Sequence, residues 1–337
     1  MTRSLLTVLG DLVEDIVVWP AGPWRAATDN PASIARSRGG SAANVAVVAA
    51  AAGVSGVSGV ATRFVGRVGD DDTGRRLVAG LGSAGVDVRV QVGAGSTGTI
   101  VVVVEPDGER TMFNDRGVAA GLERIDDEWL AGTTVLHVPA YAFDPPSART
   151  VVIEAAARVR AGGGAVSVDV SAESLVDAIG AETFRSLLDE MAPTWVFANR
   201  TEADALGLAP GPGPGHGPGG AGPSGGPPPW GWPPPGRHHV VKDGPRPAVV
   251  LSGTSPGADP TRLEVPAPIV ADVRDTTGAG DAFAAGFLRA VMAGADLEAA
   301  CHAAHRTAAT VLTTPGASPT TIPGPTPGAT PPPPTDR

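Results

Sequence analysis

The segment Asp275-Thr-Thr-Gly-Ala-Gly-Asp-Ala-Phe283 puts two glycines, Gly278 and Gly280, directly ahead of an acid, Asp281. Phe283, Phe287 and Val291 then recur at the i, i+4, i+8 spacing of one helix face, and Gly294 closes the run. A glycine-bearing turn that opens a helix leaves backbone N–H groups without intrahelical partners. Their partial positive charge favours an anion. A carboxylate beside such a pocket is placed to act as general base on a hydroxyl that attacks a phosphate. Gly278, Ala279, Gly280 and Asp281 are therefore the first candidates for catalysis. The same string also reads as a plain tight turn, with Asp281 only complementing the helix dipole.

A second group lies near the N-terminus. Asp11-Leu-Val-Glu-Asp15 follows an apolar run over residues 5–9 that reads as a strand. Ligands bind at the carboxyl ends of strands in open α/β sheets. Asp15 is placed there to accept hydrogen bonds from sugar hydroxyls; its other reading is a solvated loop acid. Gly39 and Gly40 let the backbone approach a ligand closely, and Asn44 both donates and accepts. Farther on, Asn199 precedes Glu202 by three residues at a helix start, which reads first as a capping box. Asp72 and Thr73 read as caps of the helix that follows them. No Gly-x-x-x-x-Gly-Lys-Ser/Thr string occurs, which removes a P-loop kinase, and no Gly-x-Gly-x-x-Gly follows the first strand, which weakens a dinucleotide-binding reading.

Taken together, these strings resemble the ribokinase-like (PfkB) carbohydrate kinases. The nine residues from Asp275 to Phe283 are similar to that family's C-terminal signature. Gly39-Gly40-Ser-Ala-Ala-Asn44, ahead of an Ala/Val helix, resembles the N-terminal one. Val65–Gly74 and Gly108–Gly117 resemble further blocks, the second with Arg110 and Arg116 as candidates to meet substrate or its phosphate, or as ordinary surface arginines. The resemblance spans roughly residues 4–320. It implies an α/β fold: a ribokinase-like three-layer α/β/α sandwich, with a mostly parallel central sheet and a small β lid from about 16–38 and 98–117.

The resemblance also implies roles. ATP would give its γ-phosphoryl group to a hydroxyl of a small carbohydrate, with Asp281 as base and the amides of 278–281 as the anion hole. Asp15, Gly39, Gly40 and Asn44 would hold the acceptor. Asn199 and Glu202 would serve the nucleotide phosphates and Mg²⁺ through water. Lys242 and Gly244, in Val240-Val-Lys-Asp-Gly244, would lie near the phosphates or ribose. His305 resembles a position beside adenine, or is a solvated helix histidine. Asp275 and Thr277, with carbonyls near Gly316, resemble the K⁺ site of some members. A nucleoside kinase on the same fold is an alternative, with Trp19, Trp24, Phe113 and Tyr141 as candidates to face a base. A non-catalytic sugar- or nucleotide-binding protein is a third reading.

Such residues need a scaffold, and the pattern supplies one. Strands are predicted at 5–9, 57–61, 100–104, 135–138, 165–170, 194–198, 240–242 and 248–251. Helices are predicted at 42–52, 73–84, 146–161, 181–190, 201–206, 282–293 and 297–312. Several strands are apolar throughout, which suits a sheet covered on both faces. Alternating β and α elements argue for a mostly parallel, doubly wound sheet. Residues 209–236 are nearly all Gly and Pro and read as a disordered surface insertion, and 321–337 as a disordered Pro/Thr-rich tail. The chain of 337 residues carries a formal charge of −10 and no basic stripe, which argues against nucleic acid as a partner. Cys301, the single cysteine, forms no intrachain disulfide and reads as a buried inert thiol in a cytoplasmic protein. The uncharged stretch 41–62 is weakly apolar and punctuated by glycine, so it reads as a buried helix, a turn and a strand rather than a membrane span. Lid strands that pair between subunits would make a homodimer.

Overall fold

The structure, a computed structural model, describes residues 4–51, 59–105, 110–208, 233–255, 258–271, 273 and 275–313. Most of the Gly/Pro-rich stretch, all of the tail and the neighbourhood of Gly316 lie outside the described residues. In chain order the strands are β1 (Ser4–Leu9), β2 (Val13–Pro20), β3 (Ala32–Gly39), β4 (Val60–Gly69), β5 (Asp87–Gly93), β6 (Thr97–Val104), β7 (Arg110–Gly117), β8 (Val135–Pro139), β9 (Ala165–Asp169), β10 (Trp195–Asn199), β11 (His238–Lys242), β12 (Ala248–Ser252) and β13 (Thr261–Val265). The helices are α1 (Ser41–Ala50), α2 (Asp72–Ser83), α3 (Asp127–Leu130), α4 (Pro146–Ala161), α5 (Glu173–Ile179), α6 (Ala181–Met191), α7 (Arg200–Leu206), α8 (Ala279–Met292) and α9 (Leu297–Leu312).

Nine strands form one sheet in the order β13-β12-β11-β10-β9-β8-β1-β4-β5. From β11 to β5 every neighbouring pair is parallel, and only β12 and β13 add antiparallel at one edge. The continuous apolar strands are explained by cover on both faces. On one face Phe64, Phe197, Val240 and Val250 pack with α1, α8 and α9. On the other, Val138, Val168, Val196 and Val241 pack with α4, α6 and α7. Neighbouring residues such as Val240 and Val241 thus serve opposite cores, as the two-residue period of a strand requires. This is the three-layer sandwich that the sequence predicts.

A separate four-stranded sheet, ordered β3-β2-β6-β7, is the small lid. Its strands run a few residues beyond the predicted lid, and β2 and β6 lie parallel at its centre. The cap of α2 differs from expectation: neither Asp72 nor Thr73 holds that place. Asp71 is the N-cap and accepts from the Gly74 N–H at 2.7 Å. The same carboxylate accepts from the Thr97 N–H and hydroxyl, both at 2.7 Å, so one side chain ties α2 to lid strand β6. The stretch 41–62 divides between α1 and the start of β4, and among the described residues no helix is long and apolar enough to cross a membrane. Cys301 is buried, and burial pushes its thiol up to about 12.

Candidate active site

The parallel strands end on one side of the sheet, and the carboxyl ends of four of them deliver polar residues. Leu9 of β1 leads to Asp11, β9 ends at Asp169, β10 at Asn199 and β11 at Lys242. The N-terminus of α8 and the inner face of the lid close around them. Together they line a cleft of about 1200 Å³. Of the residues predicted for catalysis and for substrate, cofactor or metal binding, all but Gly39 line this cleft, and Gly39 touches it through Asp15. Of the four aromatics named to face a base, Trp19 and Tyr141 line it, whereas Trp24 and Phe113 are exposed outside it.

The glycine turn ahead of Asp281 is built as the string suggests. Gly278 caps α8 in the left-handed region, at φ 73°, where any side chain would be strained. The helix begins three residues earlier than predicted because this turn is its first. Ala279 directs its N–H back to the Thr276 carbonyl at 3.2 Å, so it is less available to an anion than expected. Asp281 follows in the first turn, and its carboxylate accepts from Ser41 Oγ at 2.5 Å and from Asn44 Nδ2 at 3.0 Å. Asn44 in turn accepts at Oδ1 from Arg38 Nη2 at 3.1 Å and Nε at 3.3 Å. A chain of hydrogen bonds therefore runs from the end of lid strand β3 to Asp281. Neither Ser41 nor Arg38 was singled out in the sequence, although both flank the Gly39-Gly40 pair that marks the site.

Asp15 sits beside this chain with Oδ1 buried and without a hydrogen-bond partner. A Cβ on Gly39 would fall on that carboxylate, so glycine is what lets β3 pass. Gly40 caps α1. Burial pushes the Asp15 carboxyl up to about 6, with Arg38 opposing and Asp281 reinforcing. Burial also pushes Asp281 up to about 6, against the hydrogen bonds from Ser41 and Asn44. The Arg38 guanidinium is drawn down to about 10 by burial, against the pull of Asp281 and Asp15.

These shifts have opposite consequences for activity and stability. A carboxyl must be ionised to serve as a base, so on the expectation that Asp281 has that role kcat/KM falls on the acid side of about pH 6. Both carboxyls bind a proton more tightly folded than unfolded. Their contribution to stability is complete below the ordinary value of 3.8 and fades as pH rises through about 6. Rate profiles and melting curves over pH 5–8 separate the two trends. A kcat/KM that stays flat down to pH 5 would remove both groups from the chemistry.

The other side of the cleft is set by neighbouring strand ends. Asn199 pairs in register with Lys242, and Phe197 with Asp169. Asn199 and Glu202 form the predicted capping box at the start of α7: the Glu202 N–H reaches Asn199 Oδ1 and the Asn199 N–H reaches Glu202 Oε2, each at 2.8 Å. Glu202 is only 3 % exposed, and burial, helped by Asp169, raises its carboxyl against Lys242. Lys242 Nζ donates to Asp169 Oδ2 at 2.7 Å. Burial alone would lower the lysine, and the carboxylates of Asp169 and Glu202 more than reverse this. Asp169 was not among the predicted site residues; the one signal in the sequence was its place near the end of the predicted strand 165–170. Gly244 lies in the turn that follows β11.

Arg110 and Arg116, candidates to meet substrate, are held by carboxylates. Arg110 pairs with Asp275, which also accepts from the Thr277 N–H at 2.7 Å. Arg116 grips Asp11 with two bonds, at 2.7 and 2.9 Å. His305 is not solvated: it is 8 % exposed, stands edge-on to Phe283 at 5.2 Å and faces the Val265 carbonyl at 3.3 Å. Among the described residues no group of three or more His, Cys, Asp or Glu side chains is arranged to hold a metal ion.

The sheet order, the lid and this cleft define a ribokinase-fold enzyme, and comparison with known proteins agrees. The pfkB family carbohydrate kinase profile matches residues 3–212 and 234–323. An ATP-dependent ribose-1-phosphate kinase of Halopiger xanaduensis is 31% identical over 283 residues, 81% of this chain and 80% of its own length. An adenosine kinase of Schizophyllum commune is 26% identical over 261 residues, 73% and 71% of the two chains. The crystal structure of an adenosine kinase from Sinorhizobium meliloti superposes with a TM-score of 0.73 at 23% identity, covering 95% of this chain and 97% of that one. The chain belongs to the PfkB family of carbohydrate kinases. It is a phosphotransferase with an alcohol group as acceptor.

Proposed function

We propose that the protein transfers the γ-phosphoryl group of ATP to a hydroxyl of a small carbohydrate. The observation that carries this reading is Asp281, fixed by Ser41 and Asn44 at the N-terminus of α8 on the floor of the cleft. The acceptor is held by Asp15, whose unpartnered Oδ1 is ready for a hydroxyl, and by Asn44. Asp281 takes the hydroxyl proton as the acceptor oxygen bonds to phosphorus. The N–H groups of Gly278, Gly280 and Asp281 stabilise charge on the moving group, with Ala279 in a lesser part. Glu202 lines the cleft as a single carboxylate with lone pairs beyond its cap, which suits the watery mode in which Mg²⁺ accompanies nucleotide phosphates. Bound there, with Asn199 beside it, the ion would neutralise charge on the phosphate oxygens. Gly244 and His305 line the far half, where the nucleoside end of ATP would lie.

The relative that acts on ribose 1-phosphate supports a carbohydrate acceptor. A nucleoside acceptor is the second reading. It is favoured by the lid's inner face, where Val17, Trp19, Val102 and Met112 offer an apolar wall to a base. A coupled assay of ADP release decides, run with ribose, ribose 1-phosphate, fructose and adenosine, in K⁺ and in Na⁺ buffers. Turnover with a sugar above that with adenosine supports the first reading, and the reverse order supports the second. ADP release that no acceptor stimulates would overturn both. Equal rates in the two buffers would remove K⁺ from Asp275 and Thr277.

A further inference from the structure

Lys242 is the only lysine in a chain with 25 lysines and arginines together. Its side chain is 15 % exposed and that of its partner Asp169 only 6 %. Among the described residues, the bond to Asp169 is the one hydrogen bond of an ammonium that has three N–H donors. A Cβ built on Gly280 would lie 3.2 Å from Nζ, so the ammonium rests directly against the first turn of α8. Asp281 and Glu202 are near enough for their charge to be felt there. The other cations that line the cleft, Arg110 and Arg116, are engaged by Asp275 and Asp11.

The choice of residue type is informative. Arginine serves every other cationic position in the chain, and its guanidinium is a broad planar fork. Against Gly280, where an added methyl group would stand 3.2 Å from the ammonium, the cation is a compact point charge in close contact with the turn. Such a charge is of use where an anion must be met at close range.

We infer that Lys242 is the cation that meets the transferring phosphoryl group beneath Gly280, and that Asp169 is the positioning residue that holds it there. This deepens the kinase reading above and rests on it. Lys242 forms no bond to phosphorus and gives up no proton. One of its remaining N–H donors turns to a phosphoryl oxygen while Asp169 keeps another. Asp169 touches no substrate; it acts through the lysine.

The single lysine makes the test direct. Protein grown on lysine labelled with ¹⁵N at Nζ gives one side-chain ammonium signal. Titration with AMP-PNP and Mg²⁺ is expected to shift that signal, and adenosine alone to leave it in place. Lys242→Met is expected to lose about 10²-fold in kcat, the scale for one lost donor at a developing charge, with acceptor KM within about threefold. Asp169→Asn is expected to lose about tenfold in kcat and to move the ammonium signal of the free protein. An ammonium signal indifferent to AMP-PNP overturns the inference in the wild-type protein, even where a variant fails to fold. So does a folded Lys242→Met enzyme with kcat within about threefold of wild type. The kinase reading is judged separately, by acceptor-dependent ADP release from the wild-type enzyme.

Discussion

Asp281→Asn is expected to bind ATP as well as the wild-type protein does and to transfer phosphate about 10²–10⁴-fold more slowly, the range for a positioned general base. The substitution keeps size and shape, and its carbonyl can still accept from Ser41 Oγ, which stands at 2.5 Å from the carboxylate. What it loses is the site that receives the proton. The amide also presents N–H groups to Asn44 Nδ2, itself a donor at 3.0 Å, so Asn44 must turn its side chain or lose that bond. Stability should move the other way. Burial raises the Asp281 carboxyl to about 6, so the ionised form is disfavoured in the folded chain and a neutral amide relieves that cost. At pH 8 the variant's urea midpoint is therefore expected to equal or exceed that of wild type. Calorimetry with ATP, single-turnover rates and urea melts check the three parts. Turnover near the wild-type rate would take Asp281 out of the mechanism.

Much of this machinery was legible because it is local. The turn at Gly278, the acid at Asp281 and the capping box of Asn199 and Glu202 are each set by neighbours within a few residues, so spacing alone carries them. The buried strands were legible as continuous apolar runs. The half-exposed ones were not. Strand β5, Asp-Val-Arg-Val-Gln-Val-Gly, pairs only with β4 and alternates, and the short edge strand β13 has just one partner, β12. Their pattern is weaker because one side meets water. What the sequence could not supply was pairing across distance. Arg38 and Asp281, Asp169 and Lys242, Arg110 and Asp275 are brought together by strand order and lid placement. Each is an ordinary charged residue until the sheet sets it opposite its partner. Asp71 was missed for another reason: three consecutive aspartates offer three caps, and the choice fell to the one that also reaches Thr97.

Phe287→Ala is expected to cost about 3–5 kcal/mol of folding stability, the usual range for removing a large aromatic from a packed interior. Phe287 is fully buried on the core face of α8 and stands edge-on to Phe197 at 5.2 Å and to Trp195 at 6.5 Å. Those rings belong to β10, so the contact fastens α8 to the middle of the sheet. Alanine would leave a cavity among rings that cannot close it. Since whole domains are stable by only about 5–15 kcal/mol, the loss is large enough to be read in a urea melt without ambiguity. The turn that carries Asp281 is a different matter. Asp281 is held from the other side by Ser41 and Asn44, and it lies nearly two helical turns from residue 287. Turnover per folded molecule is therefore expected to survive at temperatures where the variant is still folded. The two substitutions on one helix thus separate its roles: one removes chemistry and spares the fold, the other weakens the fold and spares chemistry. A cost below about 1 kcal/mol for Phe287→Ala would mean that α8 is not anchored through this ring.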